Sequence, residues 1–488
     1  MSFRRPYQTY FVVALCLLAA VRVFLFAAAF PFFNNVDEQV QLDLVVKYAL
    51  GRIPRTLEPM APESAALIAR YGCPEFFLTP ERAIKIGFTA PLWKQPEREN
   101  TIAKLADHFR SDSNFESSQP PLYYALAGLW FDLGRALNLS GARLLYWVRF
   151  LNPFLVAGLV WLSYLAGRKT TGNPSLYLSV PLLIAFLPQD VFYSIENDNP
   201  SAILGAAGFI LLLRWMSQER ISLLVSALTG FTIAAAYLTK LANLPFVAVA
   251  LAAVLICAVF DVRRNAAPLV ICILTGLVPI CLWMWWCKSH FGDLTGTSGK
   301  IAALTWTYKP LGEWWSHPIF TPHGAWTFLS DLLARFWRGE FIWHGRPLAS
   351  PAADLYYATS SIVFPILALT DLKSRAATTA LQKRAFLLCA VLWFTSIAFL
   401  AFLSIQFDFG SCAYPSKDFP YFTCGRLMLV ALVPFTILYV HGLGRALHWL
   451  HIPLSPLVAV GVIELFVTGS EIALSRNVFA SVYNWFHL

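Results

Sequence analysis

The chain has 488 residues, of which 57% are hydrophobic, 15% aromatic and only 13% charged. A soluble domain carries about 25% charged residues, so this composition excludes an ordinary cytosolic enzyme and a disordered chain alike. The formal charge of +9, from 37 Lys and Arg against 28 Asp and Glu, suits cytoplasmic loops of a membrane protein better than a nucleic-acid surface.

In chain order, the first apolar run is Tyr10–Phe30, behind the basic pair Arg4-Arg5. It is long for a signal peptide and lacks a small-residue cleavage site before Pro31. This predicts a retained first transmembrane helix within 1–31, its N-terminus in the cytoplasm. Residues 32–119 form the longest polar stretch, an external loop with amphipathic pieces at Asp37–Leu50, Pro62–Tyr71 and Thr101–Arg110. Pieces of this length suit helices lying on the membrane surface.

Apolar runs recur near 120–137, 143–166, 174–193, 199–216, 220–239, 241–261 and 266–287, predicting a helix bundle over 120–287. A second polar and aromatic external loop covers 288–352. The C-terminal helices of 353–488 follow, with runs near 355–371, 385–406, 425–446 and 453–470. The predicted fold class is all-α, a polytopic transmembrane bundle of about 11–13 spans.

Basic clusters orient the bundle. Arg168-Lys169, Arg214 with Arg220, Arg263-Arg264, Lys373 to Arg384 and Arg445 with His448 are expected inside. Asp198 and the loops 288–352 and 407–424 then lie outside. Two crossings between 120 and 166 conflict with this: either one segment does not span, or Arg168-Lys169 is external. Size and short connecting loops suit a bacterial inner membrane, with the active site facing outward by the charge count, and an endoplasmic-reticulum protein would look similar. No phosphate-binding Gly-rich loop is present. The nine cysteines show no metal-ligand spacing, and Cys412 and Cys424 either form a bridge in an oxidising compartment or stay unpaired.

Five places combine polar chemistry with an apolar boundary. Asp37-Glu38 sets two carboxylates just beyond the first span, where charge needs a partner or a role. One of them can act as general base toward a hydroxyl, or the pair can mark an acidic helix N-terminus. Ser118–Tyr124 reads Ser-Gln-Pro-Pro-Leu-Tyr-Tyr, a proline-led helix start with two interfacial tyrosines. Glu196-Asn197-Asp198-Asn199 is either a solvated turn or a site for a cation or sugar hydroxyls. Lys240 sits in a long apolar stretch, so it snorkels or meets an anion. Arg426 opens a late apolar run, as an interface anchor or as a fork of donors for a phosphate. The segment Trp337–Arg346, with His344 and Arg346, suits a sugar or prenyl-phosphate cleft or a wet interface equally.

Taken in order, these motifs resemble the GT-C superfamily of membrane glycosyltransferases, which use lipid-phosphate-linked sugars. The resemblance rests on Asp37-Glu38, Gln119-Pro120-Pro121-Leu122-Tyr123-Tyr124, Asn197-Asp198, Thr239–Pro245, Phe291–Gly296 and Gly425-Arg426-Leu427. It looks most like the poorly characterised predicted-membrane branch. Gln119 stands where that group has a basic residue or His, and Leu427-Met428 replaces an aromatic-aliphatic pair.

The resemblance implies a GT-C-like fold and transfer of a sugar, with inversion, from a polyprenyl-phosphate donor to an acceptor hydroxyl on a glycan, lipid or protein. Asp37 would be the base, and Glu38 would orient it or hold a divalent cation. Lys240 and Arg426, backed by His344 and Arg346, would meet the donor phosphate. Gln119, Tyr123, Asn197 and Asp198 would touch substrate. Glu38 and Asp198 are the places for Mg or Mn if a metal is used. Partners would be the lipid donor, the acceptor and membrane lipids, with no nucleic acid. The alternatives are a non-enzymatic flippase or export component for lipid-linked glycans, and a transferase of a non-sugar group such as phosphoethanolamine.

Overall fold

The computed structural model describes residues 5–35, 37–73, 90–96, 98–217, 220–259, 262–343, 346–370, 379–412 and 414–488. Helix α1 (Arg5–Ala29) is apolar throughout. At its C-terminal end a cap forms from α2 (Glu38–Ala49), α3 (Pro62–Tyr71), α4 (Arg98–Ser111) and α5 (Leu122–Ala136). Helices α2, α3 and α4 occupy the three amphipathic pieces of the first loop. Helix α6 (Gly141–Arg149) doubles back along α5. Trp130 and Trp147 stack with ring centroids 4.3 Å apart, and each indole N–H donates to the other's carbonyl at 2.7 Å.

The bundle continues with α7 (Asn152–Thr170), α8 (Pro174–Ala185), α9 (Asn199–Ser217), α10 (Leu223–Thr239), α11 (Leu244–Val259) and α12 (Val262–Phe291). The second loop holds α13 (Thr297–Ala303), β1 (Thr307–Tyr308), α14 (Pro322–Arg338) and a hairpin of β2 (Ile342–Trp343) and β3 (Arg346–Pro347). Thr321 caps α14 by accepting the Gly324 N–H at 3.0 Å, with Pro322 at the first helical position. Then come α15 (Pro351–Thr370), α16 (Ala380–Gln406), β4 (Phe407–Asp408), α17 (Leu432–Trp449) and α18 (Pro456–Phe479). Strand β4 pairs antiparallel with β1, Thr307 opposite Asp408.

Among the described residues nine segments are long and apolar enough to cross a membrane, and α8 and α10 are shorter apolar helices beside them. Hydrogen bonds sort their ends. At one end Tyr177 of α8 donates to Gln8 of α1 (2.9 Å), and the Leu457 N–H of α18 donates to Ser175 (3.1 Å). There too Arg384 of α16 donates to the Met216 carbonyl of α9 (3.2 Å). This end also carries Arg168-Lys169, in the last turn of α7. At the opposite end Arg149 and Arg426 meet the first loop at Glu38 and Asp37, and Lys240 meets Asp198. Helices α8 and α10 pass between the same two ends, beside the nine candidate spans of the described residues.

The run 120–137 is not one of them. Helix α5 begins where Tyr124 donates to Gln41 of α2 (2.5 Å), and the turn after it sets Gly141 against the Tyr71 hydroxyl of α3. Both of its ends lie in the cap. That settles the conflict left by charge counting, and it does so because an apolar stripe on a cap helix has the same hydropathy as a span.

Among the described residues two large apolar cores result, beside a small cluster of Val12, Tyr164, Tyr177 and Leu178. The larger fills the bundle, and a second, built from Phe32, Val40, Leu44, Tyr124, Phe131 and Leu145 among others, fills the cap. Outward faces such as Leu465, 76% exposed on α18, are those lipid would cover. Helix α2 is covered even on its polar side, where Asp43 meets Lys47 at 2.8 Å and Asn114 at 2.8 Å.

Candidate functional site

The first loop bends sharply before α2. Asp37 lies in the left-handed region, at φ 66°, a conformation that Asp tolerates better than most residues. Its carbonyl accepts the Val40 and Gln41 N–H groups at 3.1 Å. Its side chain makes no cap to α2 and reaches Arg426 instead, Oδ2 to Nη2 at 2.9 Å. An acidic helix N-terminus therefore does not account for this carboxylate.

Glu38 goes the other way. It is fully buried and accepts from Arg149 on both oxygens, at 2.7 and 2.6 Å. The Phe33 and Ile195 N–H groups add bonds at 2.9 and 3.0 Å. Arg149 also donates to the carbonyls of Ala27, Phe30 and Pro31, at 3.1, 2.5 and 3.1 Å. The expectation that Glu38 orients Asp37 or holds a cation is corrected here. Both oxygens are already taken, and the pair acts as a clamp joining the end of α1, α6 and the 194–198 loop.

Arg426 centres a knot of charge drawn from distant segments. Its guanidinium meets Asp37 (2.9 Å), Glu196 (3.0 Å), Asp198 (3.5 Å) and Glu340 (3.3 Å). Lys240 adds a 2.5 Å contact to Asp198. It sits at the C-cap of α10, in a turn pinned by Asn243, which donates to Ala236 O (2.8 Å) and Ser201 Oγ (3.0 Å). Arg426 follows Gly425 at the start of a 3-10 segment, Gly425–Ala431. A Cβ at Gly425 would lie 2.1 Å from the Phe336 backbone nitrogen, so only glycine lets this segment approach α14.

The Pro-Pro-Leu-Tyr-Tyr motif supports the same place. Tyr123 is buried, and its hydroxyl meets the backbone of Glu196. Asn197 donates to Tyr124 at 3.0 Å and to Gln119 at 3.4 Å. Gln119 in turn bonds Glu116, which also holds Lys300 of α13. The segment Phe291–Gly296 starts that helix: Asp293 accepts from the backbone of Thr295 (2.8 Å) and Ser298 (2.9 Å).

Environment separates the acids. Burial alone would raise Asp37, but Arg426, then Lys300 and Lys240, outweigh it and hold the carboxyl below its ordinary value. Burial dominates at Glu196 and pushes it well above the usual carboxylate range, against the pull of Arg426 and Lys240. Glu196 Oε1 and Asn197 Oδ1 are buried without a hydrogen-bond partner, so the site holds acceptors that lack donors.

Of the residues expected from sequence, Asp37, Gln119, Tyr123, Asn197, Asp198, Lys240 and Arg426 come together. Arg346 is exposed on the hairpin opposite Trp343, and His344 lies outside the described residues. Lys240 and Arg426 have no acid within a helical turn in sequence, yet each meets carboxylates brought by other segments. The metal expectation at Glu38 and Asp198 does not fit the donor set. Arg149 takes both oxygens of Glu38, Lys240 and Arg426 both meet Oδ2 of Asp198, and the described residues show no group of three or more His, Cys, Asp or Glu arranged for a metal. Cys412 and Cys424 are separate thiols. Sequence reasoning reached Glu196 only as part of the 196–199 motif and missed Glu340, Lys300 and Arg149 as members of the site. The one signal was proximity, since Glu196 adjoins Asn197 and Glu340 precedes His344 by four positions.

Fold and site together define a polytopic helical membrane protein with a buried ionic centre at one end of its bundle. Residues 21–408 match the family described as "Predicted membrane protein (DUF2142)", and the chain belongs to that family, in keeping with the predicted-membrane branch its motifs resemble. Comparison with curated proteins returns no significant sequence match. Among solved structures it is similar to ArnT from Cupriavidus metallidurans bound to undecaprenyl phosphate, at 14% identity and TM-score 0.41, over 97% of this chain and 74% of that one. It is also similar to the Archaeoglobus fulgidus oligosaccharyltransferase in complex with Zn and sulfate, at 12% identity and TM-score 0.42. That match covers 95% of this chain and 53% of the other, so the present chain spans about half its length. Both likenesses are distant.

Proposed function

We propose that the protein is a GT-C-type glycosyltransferase that moves a sugar from a polyprenyl-phosphate donor to an acceptor hydroxyl, with Asp37 as general base. The observation that carries this reading is the accessibility of Asp37. Its side chain is 23% exposed, whereas the other three carboxylates on Arg426 are 0–4% exposed. It is thus the acid of the knot that an entering hydroxyl can reach, and its neighbours keep it ionised.

In this reading the acceptor O–H gives its proton to Asp37 as its oxygen bonds the anomeric carbon from the face opposite the phosphate. The bond from that carbon to the phosphate oxygen breaks, and its electron pair leaves on the prenyl phosphate. Lys240, Lys300 and Arg426 offset the departing charge. Arg426 must loosen a carboxylate to do so, and Glu196, which holds a proton readily, is the contact to yield. The unpartnered acceptors Glu196 Oε1 and Asn197 Oδ1 suit sugar hydroxyls. The positive-inside rule places the basic end in the cytoplasm and the knot outside.

The test is Asp37→Asn in purified protein, following release of polyprenyl phosphate from a polyprenyl-phosphate hexose. Loss of a positioned base is expected to cut turnover about 10²–10⁴-fold in a protein that still folds. Near-normal turnover would overturn the reading. A flippase, which needs no base, would tolerate the change.

A further inference from the structure

A largely apolar chamber with a few charged residues in its wall lies beside the knot and has no part in the chemistry above. It has a volume of about 700 Å³ and opens between the C-terminal end of α14, the turn after α13, the β2–β3 hairpin and the 407–424 loop. Its charged lining is Asp331, Arg335, Arg338 and Glu340. Arg335 pairs with Asp331 at 2.9 Å and with Glu340 at 3.2 Å. Two acids and two bases cancel, so the chamber has no net charge with which to select an anion.

What the chamber offers is matched donors and acceptors in fixed pairs. Guanidinium forks and carboxylates side by side can serve neighbouring hydroxyls that each donate and accept. Tyr414 lies against the Arg335 guanidinium, which sits 4.5 Å from its ring centre, and Ile342 adds apolar wall. Flat apolar surface with a few convergent polar groups is how small-molecule sites hold an amphipathic ring. The chamber also connects to the base. Glu340 contacts Arg335 through one oxygen and Arg426 through the other, and Arg426 holds Asp37. Asn34, three residues before Asp37, donates to the Ile342 carbonyl at 3.2 Å.

We propose that this chamber is a saccharide subsite that binds uncharged sugar units next to Asp37. The inference rests on the transferase reading for the role of the sugar, which arrives either on the donor lipid or as the end of a glycan acceptor. The volume falls within the range of about 300–1,000 Å³ usual for small-molecule sites and exceeds one sugar ring, which favours the acceptor.

The test uses full-length protein in nanodiscs and saturation-transfer NMR. Neutral probes are maltose, lactose, chitobiose and mannobiose; anionic probes are glucose 6-phosphate and inorganic phosphate. Ser411→Trp fills the chamber from an exposed loop position without touching the ion pairs. A neutral disaccharide is expected to bind saturably, to bind at least tenfold more weakly to Ser411→Trp, and to bind unchanged to Asp37→Asn. Competition by a polyprenyl-phosphate hexose assigns the chamber to the donor sugar; extension of the disaccharide assigns it to the acceptor. Binding of no neutral probe, preference for phosphate, or indifference to Ser411→Trp would overturn the inference. Transfer that depends on Asp37 without disaccharide binding sinks the chamber and leaves the transferase. Disaccharide binding without any transfer does the reverse.

Discussion

Glu38 and Asp37 are neighbours in sequence with opposite fates, and the difference is measurable. Glu38 is sealed against Arg149, so Arg149→Met strands a buried carboxylate and is expected to cost about 3–5 kcal/mol. Adding Glu38→Leu should recover only part of that loss, because the Phe33 and Ile195 N–H groups and the Ala27, Phe30 and Pro31 carbonyls then lose these partners. Thermal unfolding in detergent of the single and double variants checks this, and a double variant no better than the single would show the clamp is more than an ion pair. Asp190 supplies a pH signature. Burial, opposed by the Phe341 N–H and reinforced by Glu340, pushes its carboxyl up to about 7. The folded state then binds that proton more tightly than the unfolded chain, so stability falls as pH rises from the ordinary carboxylate range through 7. Asp190→Asn is expected to remove this slope and to gain thermal stability relative to the parent between about pH 5 and pH 8. A constant difference across that range would put the proton elsewhere.

At the scale of elements, the approach of one segment to another decides where Arg426 points. Gly425→Ala would push a methyl to 2.1 Å from Phe336 N and 2.5 Å from Arg335 C, both rigid backbone. Overpacking of this kind costs about 1–3 kcal/mol. It should also draw Arg426 off Asp37, so that transfer falls by more than the stability loss explains. Gly461→Ala on α18 has nothing within 4 Å and serves as the neutral control. Turnover and melting temperature measured on both variants separate the two effects. Helices α2, α3 and α4 were legible because their amphipathic period is local. Helix α5 was not, because Leu126, Leu129 and Leu133 form an exposed apolar stripe that hydropathy cannot tell from a crossing.

For the molecule as a whole, sidedness is the decisive expectation. In a cysteine-free background, Ser411→Cys should react with an impermeant maleimide in intact cells, whereas Arg220→Cys should react only after permeabilisation. Labelling in the opposite order would put the knot in the cytoplasm, where the positive-inside rule forbids it. The same geometry couples the cap to the bundle. The Glu38–Arg149 clamp and the Arg426–Asp37 contact both bridge them, so cap and bundle are built to hold the knot together.

Composition and hydropathy, which add along the chain, were sufficient for the membrane class and the positions of most spans. Adjacent polar residues at apolar boundaries marked Asp37, Asp198, Lys240 and Arg426 for the same local reason: charge is costly there. Pairing was beyond them. Arg426 and Asp37 are 389 residues apart in sequence, and the Glu340 and Glu196 that complete the knot come from two further loops. Coulomb attraction acts through space and hydrophobic periodicity along the chain, so only the tertiary fold could decide that Glu38 is a clamp, that Asp37 faces an opening, and that a neutral chamber lies beside it.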